Sequence, residues 1–167
     1  MTRLAIVPFD VPETFAPVGN ESRNFGRELA RRFEVELHRT NPVPIVELFN
    51  RDRWPGKRDE FFTGNYGAIS YARAAGYDFV MVGYLEDLKN DTDLTLYTKI
   101  IDTQNQVTVW HSKVIVVSDS RDWGKALASM RLGKYNPSDF SFSERANELA
   151  ACTVDAIASE DSEPVPE

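Results

Sequence analysis

His38 follows Glu34 by four residues in a stretch with helical periodicity, a spacing that sets an imidazole and a carboxylate on one face and could begin a metal site. No third or fourth ligand stands nearby, and a basic residue at a helix C-terminus is favoured by the macrodipole, so His38 reads as a helix-end residue. His111, the other histidine, sits beside Trp110 on the alternation shared with Val109 and Lys113, and reads as a packed or surface imidazole rather than a general base. Cys152 lies among Ala150, Ala151 and Ala156 with no adjacent base or basic cluster to activate it, and reads as a structural thiol. As a lone cysteine it allows no intrachain disulfide and no Cys-rich metal site.

The remaining chemical motifs are weaker. There is no Gly-x-Ser-x-Gly elbow, no Gly-x-Gly-x-x-Gly turn after the first strand, and Gly124-Lys125 is followed by Ala126 where a phosphate loop carries Ser or Thr. Asn90-Asp91-Thr92-Asp93 begins like a calcium loop, but Thr95 occupies the sixth place, where a sharp turn needs Gly, so the segment reads as a plain turn. Glu86 and Asp87 are adjacent in a strand, point to opposite faces and cannot cooperate as acid and base. The expectation is a protein with no catalytic, cofactor-binding or metal-binding residue set, hence not an enzyme.

Large aromatics in irregular segments remain: Trp54, Phe61, Phe62 and Tyr66 in one insertion, and Trp123, Tyr135, Phe140 and Phe142 in another. Such residues either cap a core or anchor a protein interface, where aromatics are enriched. The candidate interface residues are Trp54, Phe61, Phe62, Tyr66, Trp123 and Tyr135, with Trp54 and Trp123 the strongest anchors.

At 167 residues, with 42% hydrophobic and 27% charged residues, the chain suits one domain with one sizeable core, expected over 1–159. The net charge is −7, and Glu160, Asp161, Glu163 and Glu167 supply four of those negatives, so 160–167 reads as an acidic disordered tail on a body near −3. No basic run stands out, which argues against a nucleic-acid partner. No apolar stretch of roughly 18 residues is present to span a membrane, and Met1-Thr2-Arg3 leads straight into a strand rather than an export leader. A mature exported product given a new Met would look the same.

The elements that must carry these residues follow from periodicity. Leu4 to Val7 is a short apolar run stopped by Pro8, the pattern of a strand buried on both faces. A helix is expected from about Ser22 to His38 with Phe25, Leu29, Ala30, Phe33 and Leu37 on its buried stripe. Val43 to Leu48 reads as a strand at an edge or start because Pro44 cannot donate to a ladder. Phe49 to Gly64 lacks periodicity and reads as a long loop or lid, followed by a short helix from Asn65 to Ala75 ended by Gly76. Asp78–Leu88, Leu94–Asp102 and Gln106–Val117 read as an antiparallel meander, the first strand apolar on both faces with Gly83 marking a bulge or close approach, the second half-buried with Thr95, Tyr97 and Lys99 facing solvent or a partner. A short helix is expected over 123–132. Ser141 and Glu144 have capping-box spacing, which starts a last helix near Phe142 and runs it to about Ser159. The fold class is α+β: a mixed sheet of about five strands in β-α-β-α-β-β-β-α order, with helices packed on it.

Leu4-Ala5-Ile6-Val7-Pro8-Phe9, Gly26-Arg27-Glu28-Leu29-Ala30, Val43–Leu48, Ala75-Gly76-Tyr77-Asp78-Phe79-Val80-Met81-Val82-Gly83, and Ile100-Ile101-Asp102 through Val109-Trp110-His111-Ser112, in that order, resemble the CsgG, LpoB and TolB amino-terminal domain group of bacterial envelope proteins. The resemblance spans residues 3–117 and, more loosely, the final helix. It departs at Tyr77, where the pattern carries Ala, and at Gln104-Asn105-Gln106, which lacks the usual Gly. It implies an anticodon-binding-domain-like sheet and a non-enzymatic role at the outer membrane or in the periplasm. Members anchor, form rings or dock onto an envelope enzyme, usually behind a lipoprotein signal, so a leader with a lipobox is expected upstream of Met1; without one the location would be cytoplasmic. Long amphipathic hairpins of the kind that build the CsgG barrel are missing, so pore formation is not expected. The implied role is a ring-forming or adaptor component of a secretion, polysaccharide-export or flagellar-type machine, with envelope proteins or further copies of itself as partners. A monomeric regulator of a cell-wall synthase and a cytoplasmic small-molecule-binding domain are the alternatives.

Overall fold

The structure is a computed structural model that describes residues 1–11, 21–40, 43–49, 58–86, 93–117 and 140–160. The apolar run after Thr2 forms β1 (Arg3–Ile6), whose Leu4, Ala5 and Ile6 are all buried. It pairs in parallel with β2 (Ile45–Leu48) on one side and β3 (Phe79–Leu85) on the other. From β3 the chain turns back through β4 (Asp93–Asp102) and β5 (Thr108–Val117), both antiparallel, giving the order β2-β1-β3-β4-β5. The expected mixed sheet with a meander is present, and β2 is at its edge with Pro44 just ahead of it. A proline there removes no ladder bond.

Leu4 and Ile6 face α1 (Glu21–Thr40), together with Leu29, Ala30, Phe33 and Leu37 from that helix's apolar stripe. The helix can approach so closely because Gly26 has no side chain: an ideal Cβ there would lie 1.8 Å from the Phe9 carbonyl oxygen, while the Gly26 carbonyl accepts a 3.1 Å hydrogen bond from the Phe9 amide. Phe9 then meets Phe33 edge to face at 4.9 Å. Beside α1 on the same face lies α4 (Phe140–Glu160, with α2 and α3 given below), which contributes Leu149, Ala150 and Val154 to the core. The described helix starts at Phe140, so Ser141 is inside it and the start expected near Phe142 was two residues late. Of the tail expected over 160–167, Glu160 ends this helix and the rest lies outside the described residues, as does the helix expected over 123–132.

On the opposite face, Ala5, Val7, Val80, Val82 and Tyr84 are covered by α2 (Arg58–Thr63) and α3 (Tyr66–Ala74), through Phe61, Ala68, Ile69 and Ala72. The loop expected over 49–64 is corrected here: Phe49 is buried and residues 58–63 are helical. A six-residue helix is too short to display a period or to stand alone in water, so tertiary burial holds it, and burying one phenylalanine such as Phe61 supplies about 2–3 kcal/mol. Two left-handed residues, Gly64 (φ 118°) and Asn65 (φ 54°), make the elbow into α3. That helix ends as its sequence predicts: Gly76 (φ 82°) donates to the Arg73 carbonyl and Tyr77 to the Ala72 carbonyl, the paired bonds of a glycine-terminated helix.

Gly83 proves to be a close approach: an ideal Cβ there would lie 2.8 Å from the Tyr97 carbonyl oxygen. The bulge is elsewhere, between Ile100 and Ile101 of β4, and leaves Val109 of β5 without a register partner.

Candidate functional site

Two concentrations of interacting side chains stand out, and they differ in what they can do. The first sits where β1 and β3 begin. Arg3 donates from its backbone amide to Asp78 at 2.8 Å and from its guanidinium to Glu47 at 3.0 Å and the Gly76 carbonyl at 3.4 Å, with the guanidinium 4.4 Å above the Tyr77 ring. The Tyr77 hydroxyl donates to the same Glu47 oxygen at 2.8 Å. That hydrogen bond, and then Arg3, hold the Glu47 carboxyl below the usual carboxylate value, while burial and then Glu47 push the Tyr77 phenol up. A carboxylate kept ionised and a phenol kept protonated hold each other in place and leave little capacity for proton transfer near neutrality. This cluster joins β1, β2 and the entry to β3, and is structural.

The second lies on the sheet face that α2 and α3 only partly cover. Phe61 meets Tyr84 edge to face at 4.9 Å, Tyr84 stacks on Tyr97 at 4.8 Å, and the Lys113 ammonium lies 5.4 Å from the Tyr97 ring centre. Lys99 spans the boundary between helix and sheet, donating to the Phe61 carbonyl at 2.5 Å and lying 4.1 Å above the Phe61 ring. Its partial burial pushes its ammonium below the usual lysine value. Beyond this row the outer face of β4 and β5 has no element over it among the described residues. The register sets Thr95 against Ile115, Tyr97 against Lys113 and Lys99 against His111. His111 and Lys113 are exposed, as are Ile115 (50%), Val109 (53%) and Val107 (51%). The other face of β5 is used, since Trp110 is buried and Val114 packs against the core beneath α4. Among the described residues β5 has no neighbour on its outer side. The surface is therefore a sheet edge plus half a sheet face, apolar at its ends and cationic in the middle.

The candidate aromatics divide. Phe61 is 6% exposed and belongs to the core, whereas its neighbour Phe62 (68%) and Tyr66 (69%) are open to solvent. Consecutive helical residues point about 100° apart, so once Phe61 enters the core Phe62 cannot follow it. Trp54, Trp123 and Tyr135 lie outside the described residues, and the side chains of Phe140 and Phe142 do as well. His38 is exposed in the last turn of α1, and Glu34, four residues before it, accepts the Leu48 amide at 2.9 Å. Cys152 is exposed, which corrects its reading as a structural thiol: the buried stripe of α4 runs through Leu149, Ala150, Thr153 and Val154, and Cys152 falls outside it. Among the described residues no group of three or more His, Cys, Asp or Glu could hold a metal ion, and no helix is long and apolar enough to cross a membrane. The Tyr84–Tyr97–Lys113 row was not singled out from the sequence, although Thr95, Tyr97 and Lys99 on the polar side of the β4 alternation carried its signal.

No family model and no curated protein matches the sequence. Among solved structures, the chain is similar to lipoprotein GNA1162 from Neisseria meningitidis, at 12% identity over 95% of this chain and 97% of that one, with a TM-score of 0.50. A PelC dodecamer from Paraburkholderia phytofirmans aligns at 15% identity over 78% and 83% of the two chains with a TM-score of 0.48. TolB from Acinetobacter baumannii aligns at 17% identity over 84% of this chain and 30% of that one, with a TM-score of 0.43. The fold expected from the ordered sequence blocks is thus shared with lipoprotein GNA1162 over nearly the full length of both chains.

Proposed function

We propose that this protein is a non-enzymatic accessory component of a bacterial cell envelope, acting through contacts with other proteins either as a subunit of a ring or as an adaptor. The observation that carries this reading is the β4–β5 surface, where exposed Val107, Val109 and Ile115 flank Lys113 and His111 at a sheet edge that has no neighbour among the described residues. Unpaired edges and exposed apolar residues of this kind suit docking and not substrate capture. The ordered sequence blocks, and a fold shared over nearly the full length with lipoprotein GNA1162, support the location. Phe62 and Tyr66 extend the surface from the helical side. Trp54, Trp123 and Tyr135 are proposed as further anchors.

Size-exclusion chromatography with light scattering separates the two forms of the proposal: a discrete ring supports assembly, and a monomer at high concentration supports an adaptor. Fractionation of cells expressing the native gene tests the location. Recovery in the periplasm or with membranes is the expected result, and a purely cytosolic product overturns it.

A further inference from the structure

We propose that the free edge of β5 receives an extended acidic segment of another protein, added as a sixth strand whose alternate side chains carry carboxylates opposite Lys113 and His111 and apolar groups at either end. The inference rests on the reading of the β4–β5 surface as an interaction surface and assigns the chemistry of its partner.

Strand addition needs an edge long enough to supply a row of backbone donors and acceptors, and β5 provides ten residues, Thr108–Val117, with no neighbour beyond it among the described residues. Specificity then comes from the side chains of alternate residues. On the outer face of β4 and β5, the charged side chains described are Lys99 and Lys113, both cationic, in a chain of net charge −7. Two lysines with no described carboxylate on the same face run against the charge of the whole and match an acidic partner. Directly opposed unlike charges stabilise neighbouring strands and like charges destabilise them. Lys99 is already engaged by the Phe61 carbonyl and ring, so it fixes the sheet to α2 and leaves Lys113 and His111 as the groups open to a partner.

The same charges argue against a second copy as occupant. Two β5 edges paired antiparallel about the middle of the strand bring Lys113 and His111 of one copy against those of the other. A lysine at an edge strand is a familiar device against such self-pairing, and the bulge at Val109 adds to it by distorting one end of the ladder. The edge is closed to its own kind and open to a strand of opposite charge.

The test uses the full chain and two fluorescent ten-residue peptides of alternating Thr and Glu or alternating Thr and Lys, each with Val at both ends, followed by fluorescence anisotropy. The acidic peptide is expected to bind at least about tenfold tighter than the basic one. Lys113→Glu, a change at an exposed position, is expected to weaken the acidic peptide about tenfold and to leave the circular dichroism spectrum unchanged. Backbone N-methylation of alternate peptide residues is expected to abolish binding, since it removes the ladder donors while keeping the carboxylates. Equal affinity for the two peptides, indifference to Lys113→Glu, or full binding by the N-methylated peptide each overturns the proposal. So does a dimer of the free protein that Lys113→Glu strengthens or leaves unchanged. An envelope location or a discrete ring found alongside any of these sinks the acidic-strand proposal alone and leaves the broader function standing.

Discussion

Tyr84 on β3 and Tyr97 on β4 are direct register partners whose rings stack 4.8 Å apart with 13° between their planes. Tyr84 is 3% exposed and Tyr97 is half-buried, so the pair forms a step from the core to the open half of the sheet. The two rings should therefore differ in worth. Tyr84→Ala empties a core site and is expected to cost about 3–5 kcal/mol, whereas Tyr97→Ala loses the stack and part of its burial, about 1–2 kcal/mol. Urea unfolding of both variants checks this, and equal losses would contradict the step.

Gly26→Ala sets intrinsic propensity against packing. Alanine in a helix interior is favoured over glycine by about 1 kcal/mol. A Cβ at 1.8 Å from the Phe9 carbonyl oxygen cannot be accommodated unless α1 moves off β1. The contact meets backbone on both sides, which has no rotamer to change, so packing wins and the variant is expected to lose about 3 kcal/mol or more, in the range of severe core lesions. Denaturation followed by far-ultraviolet circular dichroism measures it; a stabilised variant would refute the close approach.

The Glu47 cluster gives a pH signature. The Tyr77 hydroxyl and then Arg3 hold the Glu47 carboxyl below its ordinary value of 4.5. The folded state then binds fewer protons than the unfolded chain in acid, so the contribution is fully present above that value and is lost as pH falls through the folded one. Glu47→Gln removes the titration. The melting temperature of the wild type is expected to exceed that of the variant at pH about 7 and to converge toward it by pH about 3. A constant gap across that range would show that the carboxylate is not what the cluster stabilises.

Exposed Cys152 predicts a chemical accessibility. In the native protein one thiol per chain should react with an aromatic disulfide reagent at a rate within about tenfold of the unfolded chain. A rate that tracks global unfolding would place the sulfur inside.

Much of the fold was legible because its signals are local. The continuous apolar run of β1, the α1 stripe through Leu29, Phe33 and Leu37, the doubly apolar β3 and the stop at Gly76 each declare themselves within a few residues, and each is found as read. What escaped depends on phase or on distance. Phe61 and Phe62 are identical neighbours, and only a helix docked on Tyr84 sends one inward and the other outward. Cys152 faces solvent because of how α4 is rotated against α1, a property no single helix reveals. The need for Gly26 comes from the Phe9 carbonyl beside it, which is distant in sequence and leaves no mark within the helix itself. The row from Phe61 through Tyr84 and Tyr97 to Lys113 draws on four separate elements, so its geometry could not be read from any one of them.

The position of β1 between β2 and β3 also sets how much chain its two ladders must close. Arg3 and Asp78, joined at 2.8 Å, are 75 residues apart, so β1 can pair with β2 and pack on α1 well before β3 is made to complete its second ladder. The β3–β4 and β4–β5 ladders join strands adjacent in sequence, whereas both ladders of β1 close over longer stretches of chain. Until β3 has been made, the apolar β1 therefore has one edge without its partner strand, and that edge is the one open to wrong pairing.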